Sequence, residues 1–172
     1  MVITRDNSPQ PVRWIDSQSV LGVGRFAPIK LEKGALDGLT QPLLASPQHR
    51  FLLSGHCADL YFSAPEVLVS AKHLINGHSI QEESNGLVTY LHMMFDQHEV
   101  VYTNGITTER FHAADVRILS INDKSRPELF EVFPELCTNS GNHGDTVRKC
   151  LMGFETFILA KQMMIVSGVI TA

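Results

Sequence analysis

The sequence has few cysteines, no excess of basic residues and no long hydrophobic run, and each shortage excludes a class of protein. Its three cysteines, Cys57, Cys137 and Cys150, are dispersed and form no C-x-x-C pair. An odd number of dispersed cysteines argues against a disulfide framework and against a cysteine-based zinc cage. Neither means of stabilising the fold is expected here.

The charge balance disfavours two kinds of partner. Fourteen lysine and arginine residues against eighteen aspartate and glutamate residues leave a net charge of −4. Without a basic surface, the sequence predicts neither a nucleic-acid partner nor binding to an anionic membrane. It also lacks the apolar core of a secretory signal and the run of roughly eighteen apolar residues typical of a membrane helix. We therefore expect a soluble chain, with its compartment left open.

The patterning is that of a mainly β protein, and residues 1–172 suffice for one domain. Asn-Gly pairs at 76–77, 85–86 and 104–105 lie between strand-like segments, and Asn-Gly is the strongest short-range signal for a β-hairpin. Residues 87–95 are apolar at both parities, which favours a strand buried on both faces. We predict antiparallel hairpins around a central strand at 87–95.

The two ends of the chain differ in predicted structure. Residues 2–4 and 12–15 are strand-like and predict a first hairpin. Residues 125–128 read S-R-P-E, a capping box that predicts a helix of about two turns. Apolar residues at helical spacing over 147–158 predict a second helix. The C-terminal part therefore carries one or two short helices, followed by an apolar tail at 163–172.

Eight histidines raise the question of a metal site. No H-E-x-x-H pattern occurs, and the one close pair in a polar turn, His73 and His78, lies on either side of Asn76-Gly77. Isolated histidines are more often structural than metal ligands, so no metal or cofactor is predicted. A histidine-based metalloenzyme stays open as an alternative. The eight are His49, His56, His73, His78, His92, His98, His112 and His143.

A hydroxyl and an imidazole lie three residues apart at Ser46 and His49, in the segment S-P-Q-H before the strand-like residues 50–53. At this spacing both groups can reach one backbone amide. The hydroxyl would donate a hydrogen bond, and the imidazole would protonate the departing nitrogen, as acyl transfer requires. The alternative is a serine that satisfies a turn amide, with the histidine in the strand beyond it.

A second acid-base candidate is Asp96 with His98, where the long strand is predicted to end. A carboxylate two residues from an imidazole can orient it or favour its charged form. The alternative is a solvated turn between two strands.

Four segments share a characteristic order and spacing. They are residues 6–15, 46–53, 71–77 and 90–101, which read DNSPQPVRWI, SPQHRFLL, AKHLING and YLHMMFDQHEVV. Together they resemble the bacterial Hint (Hedgehog/intein) domain family. Residues 130–136 and 150–155 resemble the C-terminal part of the same family.

The resemblance implies an all-β, horseshoe-like Hint fold that processes its own polypeptide. In that chemistry a cysteine attacks the preceding peptide carbonyl and converts the amide into a thioester, which is then cleaved or transferred. Ser46 and His49 stand where the family has its T-x-x-H pair, which activates the scissile amide. His98, with Asp96 before it, resembles the family's later histidine block, and Asp16 could correspond to an acidic residue of Hedgehog-type members.

The chain is also expected to depart from the family pattern in two ways. The family's first block, a Cys-Phe-x-Pro-Gly-Thr-like strand with the nucleophile, would precede Thr4, so this chain is expected to lack the nucleophile and to be inactive in self-cleavage. Splicing inteins end in His-Asn, and neither Asn139 nor Asn142 has that context, so splicing is not expected. The expected activity of a complete domain goes no further than cleavage or transfer of the N-terminal flank. That flanking polypeptide is the expected substrate. A non-catalytic β-rich module that pairs strands with another chain remains the alternative.

Overall fold

The computed structural model describes residues 1–109, 126–132 and 148–166. These residues contain ten strands and three α-helices. The strands are β1 (Trp14–Gly22), β2 (Ile29–Leu31), β3 (Leu43–Ala45), β4 (Arg50–Ser54), β5 (Glu66–Ser70), β6 (Ile80–Glu82), β7 (Asn85–Met94), β8 (Val100–Thr103), β9 (Ile106–Glu109) and β10 (Lys149–Cys150). The helices are α1 (His56–Phe62), α2 (Arg126–Val132) and α3 (Gly153–Val166).

The strands form three sheets. The largest has the order β10-β5-β4-β9-β8, in which only β10 and β5 run parallel. A three-stranded antiparallel sheet has the order β3-β2-β6, and β1 pairs with β7 as a two-stranded ribbon. The predicted mainly β fold class is confirmed. No described helix is long and apolar enough to cross a membrane.

The core lies around β4 and β5, whose sequences are short apolar runs. Phe51, Val67 and Val69 are fully buried in one cluster, which also takes in Leu159 of α3. Leu68 points to the opposite face and joins a second cluster. The strand buried on both faces is therefore β5, which fits its continuous Val-Leu-Val run.

The prediction of a central strand at 87–95 is wrong. The segment does form a strand, β7, but it pairs only with β1 among the described residues. Leu87 and Leu91 are 74% and 64% exposed on the open face of this ribbon. Apolar residues at both parities indicate a strand, but they do not distinguish two buried faces from one buried and one open face.

The N-terminal segment extends the large sheet instead of forming the predicted first hairpin. Val2 bridges to Gln10, and Thr4 bridges to Val101 at the outer edge of β8. Glu66 of β5 forms ion pairs with two arginines, one of which belongs to the N-terminal segment. These contacts hold the N-terminal segment beside the large sheet, which contributes Arg50, Thr103 and Glu109 to the cleft described below.

One of the three Asn-Gly pairs forms the predicted two-residue hairpin. Asn104 and Gly105 both have positive φ, at 48° and 88°, and connect β8 to β9. This is the conformation that a type I′ turn requires. Residues 85–86 lie inside β7, and Asn76 instead accepts hydrogen bonds from the amides of a longer loop. The hairpin prediction is confirmed only at Asn104-Gly105 among the three pairs, where the strands before and after the turn pair with each other in one sheet.

The helix predictions were partly correct. Helix α2 begins at Arg126, within the segment 125–128 that predicted it, which confirms the short helix there. The second helix begins only at Gly153, because residues 149–150 join β5 as a strand. The side chain of Glu155 accepts a hydrogen bond from the Met152 amide and caps this start. The sequence did not reveal α1. Of the tail at 163–172, residues 167–172 lie outside the described residues.

Candidate functional site

Ser46 and His49 are the two ends of a tight turn between β3 and β4. The His49 amide donates to the Ser46 carbonyl oxygen at 3.0 Å, with Pro47 at the second position, where its fixed φ suits a type I or II turn. The Ala71 and Lys72 amides donate to the carbonyl oxygens of His49 and Pro47, at 2.8 and 3.1 Å. The turn is therefore held at both ends, and its two side chains have a defined placement.

A cleft of about 360 Å³ opens beside this turn. One wall is the segment from β3 through the turn to the first residue of β4, and the other is β7, with β8 and β9 contributing one residue each. The lining residues are Leu43, Leu44, Ala45, Ser46, Gln48, His49, Arg50, Thr89, Tyr90, Leu91, His92, Met93, Thr103 and Glu109.

A buried carboxylate, Glu109, connects the cleft to His98. Glu109 Oε1 lies 2.7 Å from His98 Nε2, and Glu109 Oε2 accepts a hydrogen bond from Arg50 at 2.9 Å. The side chains of His98 and Glu109 are only 6% and 5% exposed. A buried carboxylate with two cationic or titratable partners forms a fixed network. His98 thus reaches the cleft through Glu109.

Asp96 lies apart from this network. Its carboxylate pairs with Arg13 at 3.0 Å, and its side chain is 62% exposed. It does not line the cleft. A catalytic role for Asp96 stays a prediction that the geometry does not support.

His92 of β7 is a cleft residue that the sequence reasoning did not select. It is paired across the ribbon with Asp16, whose Oδ2 is buried with no hydrogen-bond partner in the part of the chain that the structure describes. Burial lowers the pKa of His92, and the Asp16 charge partly opposes that shift. Next to it, Tyr90 donates to the Phe26 carbonyl oxygen at 2.8 Å, which ties this wall to the rest of the fold, and burial raises the pKa of Tyr90.

The described side chains offer no group of three histidine, cysteine, aspartate or glutamate residues that could hold a metal ion. Cys57 packs against the main core cluster, and Cys150 packs against the second cluster with Leu52 and Leu68. Neither thiol lines the cleft. Cys137, His112 and His143 lie outside the described residues.

The family model of the Hint domain matches residues 1–115, which is more than half of the chain. The chain belongs to the Hint domain family. The matched residues include both walls of the cleft and the Glu109 network. In this Hint domain, α2, β10 and α3 lie beyond the match. The chain matches no curated protein and no solved structure.

Three residues of the Hint domain site, Glu109, Arg50 and His92, were not predicted from the sequence. Of these, Glu109 could have been found. The Asn104-Gly105 turn sets the register of β8 and β9, and that register places Glu109 opposite Val100, two residues after His98. Arg50 and His92 carried no such local signal, because their places in the cleft depend on which sheets meet.

We expect the Hint domain to lose stability in mild acid because of His73, a histidine outside the cleft. Burial and then the Lys72 charge lower the pKa of His73 from its ordinary 6.5, and its Nδ1 has no hydrogen-bond partner among the described residues. The folded state therefore favours neutral His73, and the unfolded chain takes up the extra proton as pH falls through about 6.5. His92 acts in the same direction. Urea unfolding at pH 7.5 and 5.5 measures the loss.

His73→Gln should reduce this loss of stability between pH 7.5 and 5.5. The matched control is His78→Gln at an exposed position, which should retain the wild-type pH dependence. Glu66, whose pKa is lowered, titrates below its ordinary 4.5 and does not contribute in this range. An unchanged pH dependence in His73→Gln would contradict the assignment.

Proposed function

We propose that this Hint domain is a protein-autoprocessing domain in which Ser46 and His49 activate a peptide amide for conversion into a thioester. The observation that supports it is the held turn, which places a hydroxyl and an imidazole on one wall of an open cleft. The same pair was selected from the sequence as the counterpart of the family's T-x-x-H pair. Two groups on one turn can address one amide.

The proposed step is an N-to-S acyl shift. A cysteine thiolate attacks the carbonyl carbon of the peptide bond that precedes it, and a C–S bond forms. The Ser46 hydroxyl donates to the carbonyl oxygen as negative charge develops there. His49 delivers a proton to the nitrogen, the C–N bond breaks, and a thioester and a free amine result. A thiol or another nucleophile then takes the acyl group.

His98 is proposed to assist through the buried network. Glu109, which also bonds to Arg50, lies 2.7 Å from His98 Nε2 and itself lines the cleft, so the His98 ring acts on the cleft through this carboxylate. The proposal gives Asp96 no chemical step, because its carboxylate is engaged with Arg13 at the surface.

We further propose that the nucleophile is none of the cysteines of this chain. Cys57 and Cys150 pack into core clusters and lie outside the cleft lining. Cys137 stands in the sequence L-C-T-N-S-G, which does not resemble the Cys-Phe-x-Pro-Gly-Thr-like block of the family. The 172-residue chain is then expected to be inactive in self-cleavage and to need a cysteine from a further polypeptide segment. We also propose that this Hint domain is of the bacterial type, which residues 6–15, 46–53, 71–77 and 90–101 resemble.

A fusion protein tests the proposal. The chain is extended at its N-terminus with a Hint-type first block that carries a cysteine, and a reporter protein is placed before that cysteine. Dithiothreitol should release the reporter, whereas a fusion with that cysteine replaced by alanine should stay intact. A folded fusion that releases nothing, or equal release by the alanine fusion, would contradict the proposed activity.

The open face of the ribbon favours a second candidate, a non-catalytic interaction module. Ile15, Leu21, Leu87 and Leu91 are exposed together on the β1–β7 ribbon, and exposed apolar surfaces of this kind are typical of protein contacts. Sedimentation across a concentration series would show a dimer that is lost in a Leu87→Ser, Leu91→Ser variant. A monomer at all concentrations would argue against self-association.

A further inference from the structure

Charged side chains connect the two ends of the large sheet. The N-terminal segment lies beside β8 at one end, where Thr4 bridges to Val101. β5 and β10 lie at the other end. Arg5, the neighbour of Thr4, nevertheless forms an ion pair with Glu66 of β5. Side chains from opposite ends of one sheet therefore meet.

Arg148, the residue before β10, joins this contact from the far end of the sheet. Its Nε donates to Glu66 Oε2 at 2.7 Å, and its Nη2 donates to Asp6 Oδ1 at 2.9 Å. One guanidinium thus bridges a carboxylate of β5 and a carboxylate of the N-terminal segment, because its donors point in different directions from one plane. Burial alone would raise the pKa of Glu66, but the bonds and charges of Arg148 and Arg5 outweigh it and lower that pKa below its ordinary 4.5.

These bonds require the sheet to curve back on itself. Between β5 and the N-terminal segment lie β4, β9 and β8, so a flat sheet would hold the two about 19 Å apart. Side chains that meet across this gap require strong twist and coiling of the sheet. Arg5, Asp6, Glu66 and Arg148 form a closure cluster that joins its two ends.

The closure cluster is partly shielded from water. The side chains of Glu66 and Arg148 are 15% and 26% exposed, and those of Arg5 and Asp6 are 33% and 32% exposed. A single exposed ion pair contributes little, whereas several charges that share hydrogen bonds contribute more. Dissolved salt still screens charges that reach the surface. The N-terminal segment is therefore held by interactions that salt can weaken.

We propose that Arg148 is a positioning residue, which fixes the N-terminal segment and thereby the place where the flanking polypeptide enters the domain. The role of that flank as substrate rests on the proposed function. The segment also contacts the neighbourhood of the site, because Asn7 Nδ2 donates to the Glu99 carboxylate at 3.0 Å and Glu99 directly follows His98. Arg148 lies beyond residues 1–115, which the family model matches. The C-terminal part of the chain thus acts on the reaction through this side chain.

Hydrogen exchange followed by NMR tests the closure in the 172-residue chain. The variant is Arg148→Met, which keeps an unbranched side chain and loses both hydrogen bonds. The Arg5 amide, which donates to the Val100 carbonyl oxygen, should exchange at least about tenfold faster than in the wild type. The Ala71 amide, which donates to the carbonyl oxygen of His49 in the turn, should keep its wild-type rate.

Lys33→Met is the matched control, because it removes one positive charge at an exposed loop position. It should leave both exchange rates unchanged. Raising NaCl from about 0.05 M to about 0.5 M should speed exchange of the Arg5 amide more in the wild type than in Arg148→Met. Unchanged exchange of the Arg5 amide in Arg148→Met would overturn the closure. Equal acceleration of the Ala71 amide would show a general loss of stability and overturn the positioning role.

The reporter fusion tests the effect of the closure on the reaction. Arg148→Met should slow thiol-induced release by about tenfold, because the flank is placed less precisely. Arg148→Lys, which keeps the charge, should recover part of the rate. Asp6→Asn combined with Arg148→Met should be no slower than Arg148→Met alone, since the two side chains act as one pair. Wild-type release by a folded Arg148→Met fusion, or losses that multiply in the double variant, would overturn the positioning role.

These outcomes are separable from failure of the proposed function. Faster exchange of the Arg5 amide in Arg148→Met, with a wild-type fusion that releases nothing, would retain the closure and remove the chemistry together with the role of Arg148 in it. Release by the wild-type fusion, with equal Arg5 exchange in Arg148→Met and the wild type, would do the reverse.

Discussion

Replacing Glu109 by alanine is expected to lower the free energy of unfolding by about 3 kcal/mol. The substitution removes the buried carboxylate that accepts a hydrogen bond from Arg50 and lies 2.7 Å from the buried His98 ring. Removal of one member of a buried ionic group is costly because the remaining members cannot recover their hydration. Urea unfolding at pH 7.5 measures the change.

The matched control is Glu131→Ala on α2, where the glutamate is exposed. Its effect should stay within about 0.5 kcal/mol, as for most surface substitutions. Glu109→Gln should fall between the two, since it retains the shape of the side chain and one acceptor but loses the charge. A Glu109→Ala loss below about 1 kcal/mol would contradict a fixed buried network.

The second large effect is expected for His49→Ala in the reporter fusion, where thiol-induced release should slow by about 10²–10⁴-fold. The variant removes the group that protonates the departing nitrogen. The His49 ring also stands edge-on to Phe51 at 5.1 Å, so part of any loss could come from the fold. Release rates are therefore compared with the urea midpoint of each variant.

His78→Ala is the control for this experiment, because His78 is exposed in the loop before β6. It should release the reporter at the wild-type rate. A His49→Ala fusion that retains its urea midpoint and also releases at the wild-type rate would remove His49 from the chemistry.

Local patterns predicted the parts of this protein that depend on few residues. The Asn104-Gly105 turn and the helix after residue 125 were both correct, because positive φ values and a capping box are properties of short segments. The S-P-Q-H segment was likewise recognised as a unit, and the structure places its two ends in one turn beside the cleft.

What could not be predicted depends on which sheets meet. β7 was expected in the centre because its residues are apolar, but only the sheet order shows that it is half of an open ribbon. The same order places β3 and β7 across the cleft and brings Arg50 to Glu109. Asp96 was chosen for its sequence distance to His98, yet it turns outward to Arg13. The spacing of two residues along the chain does not determine which way their side chains point where a strand ends.

The proposed chemistry depends on activation of one amide by the Ser46–His49 turn. The most direct measurement is trapping of the thioester with hydroxylamine in the reporter fusion, read as reporter hydroxamate by mass spectrometry, with Ser46→Thr and Ser46→Ala compared. We predict that Ser46→Thr, which keeps the hydroxyl, forms as much hydroxamate as the wild type, and that Ser46→Ala forms at least about tenfold less. Equal trapping in a folded Ser46→Ala fusion would contradict the account.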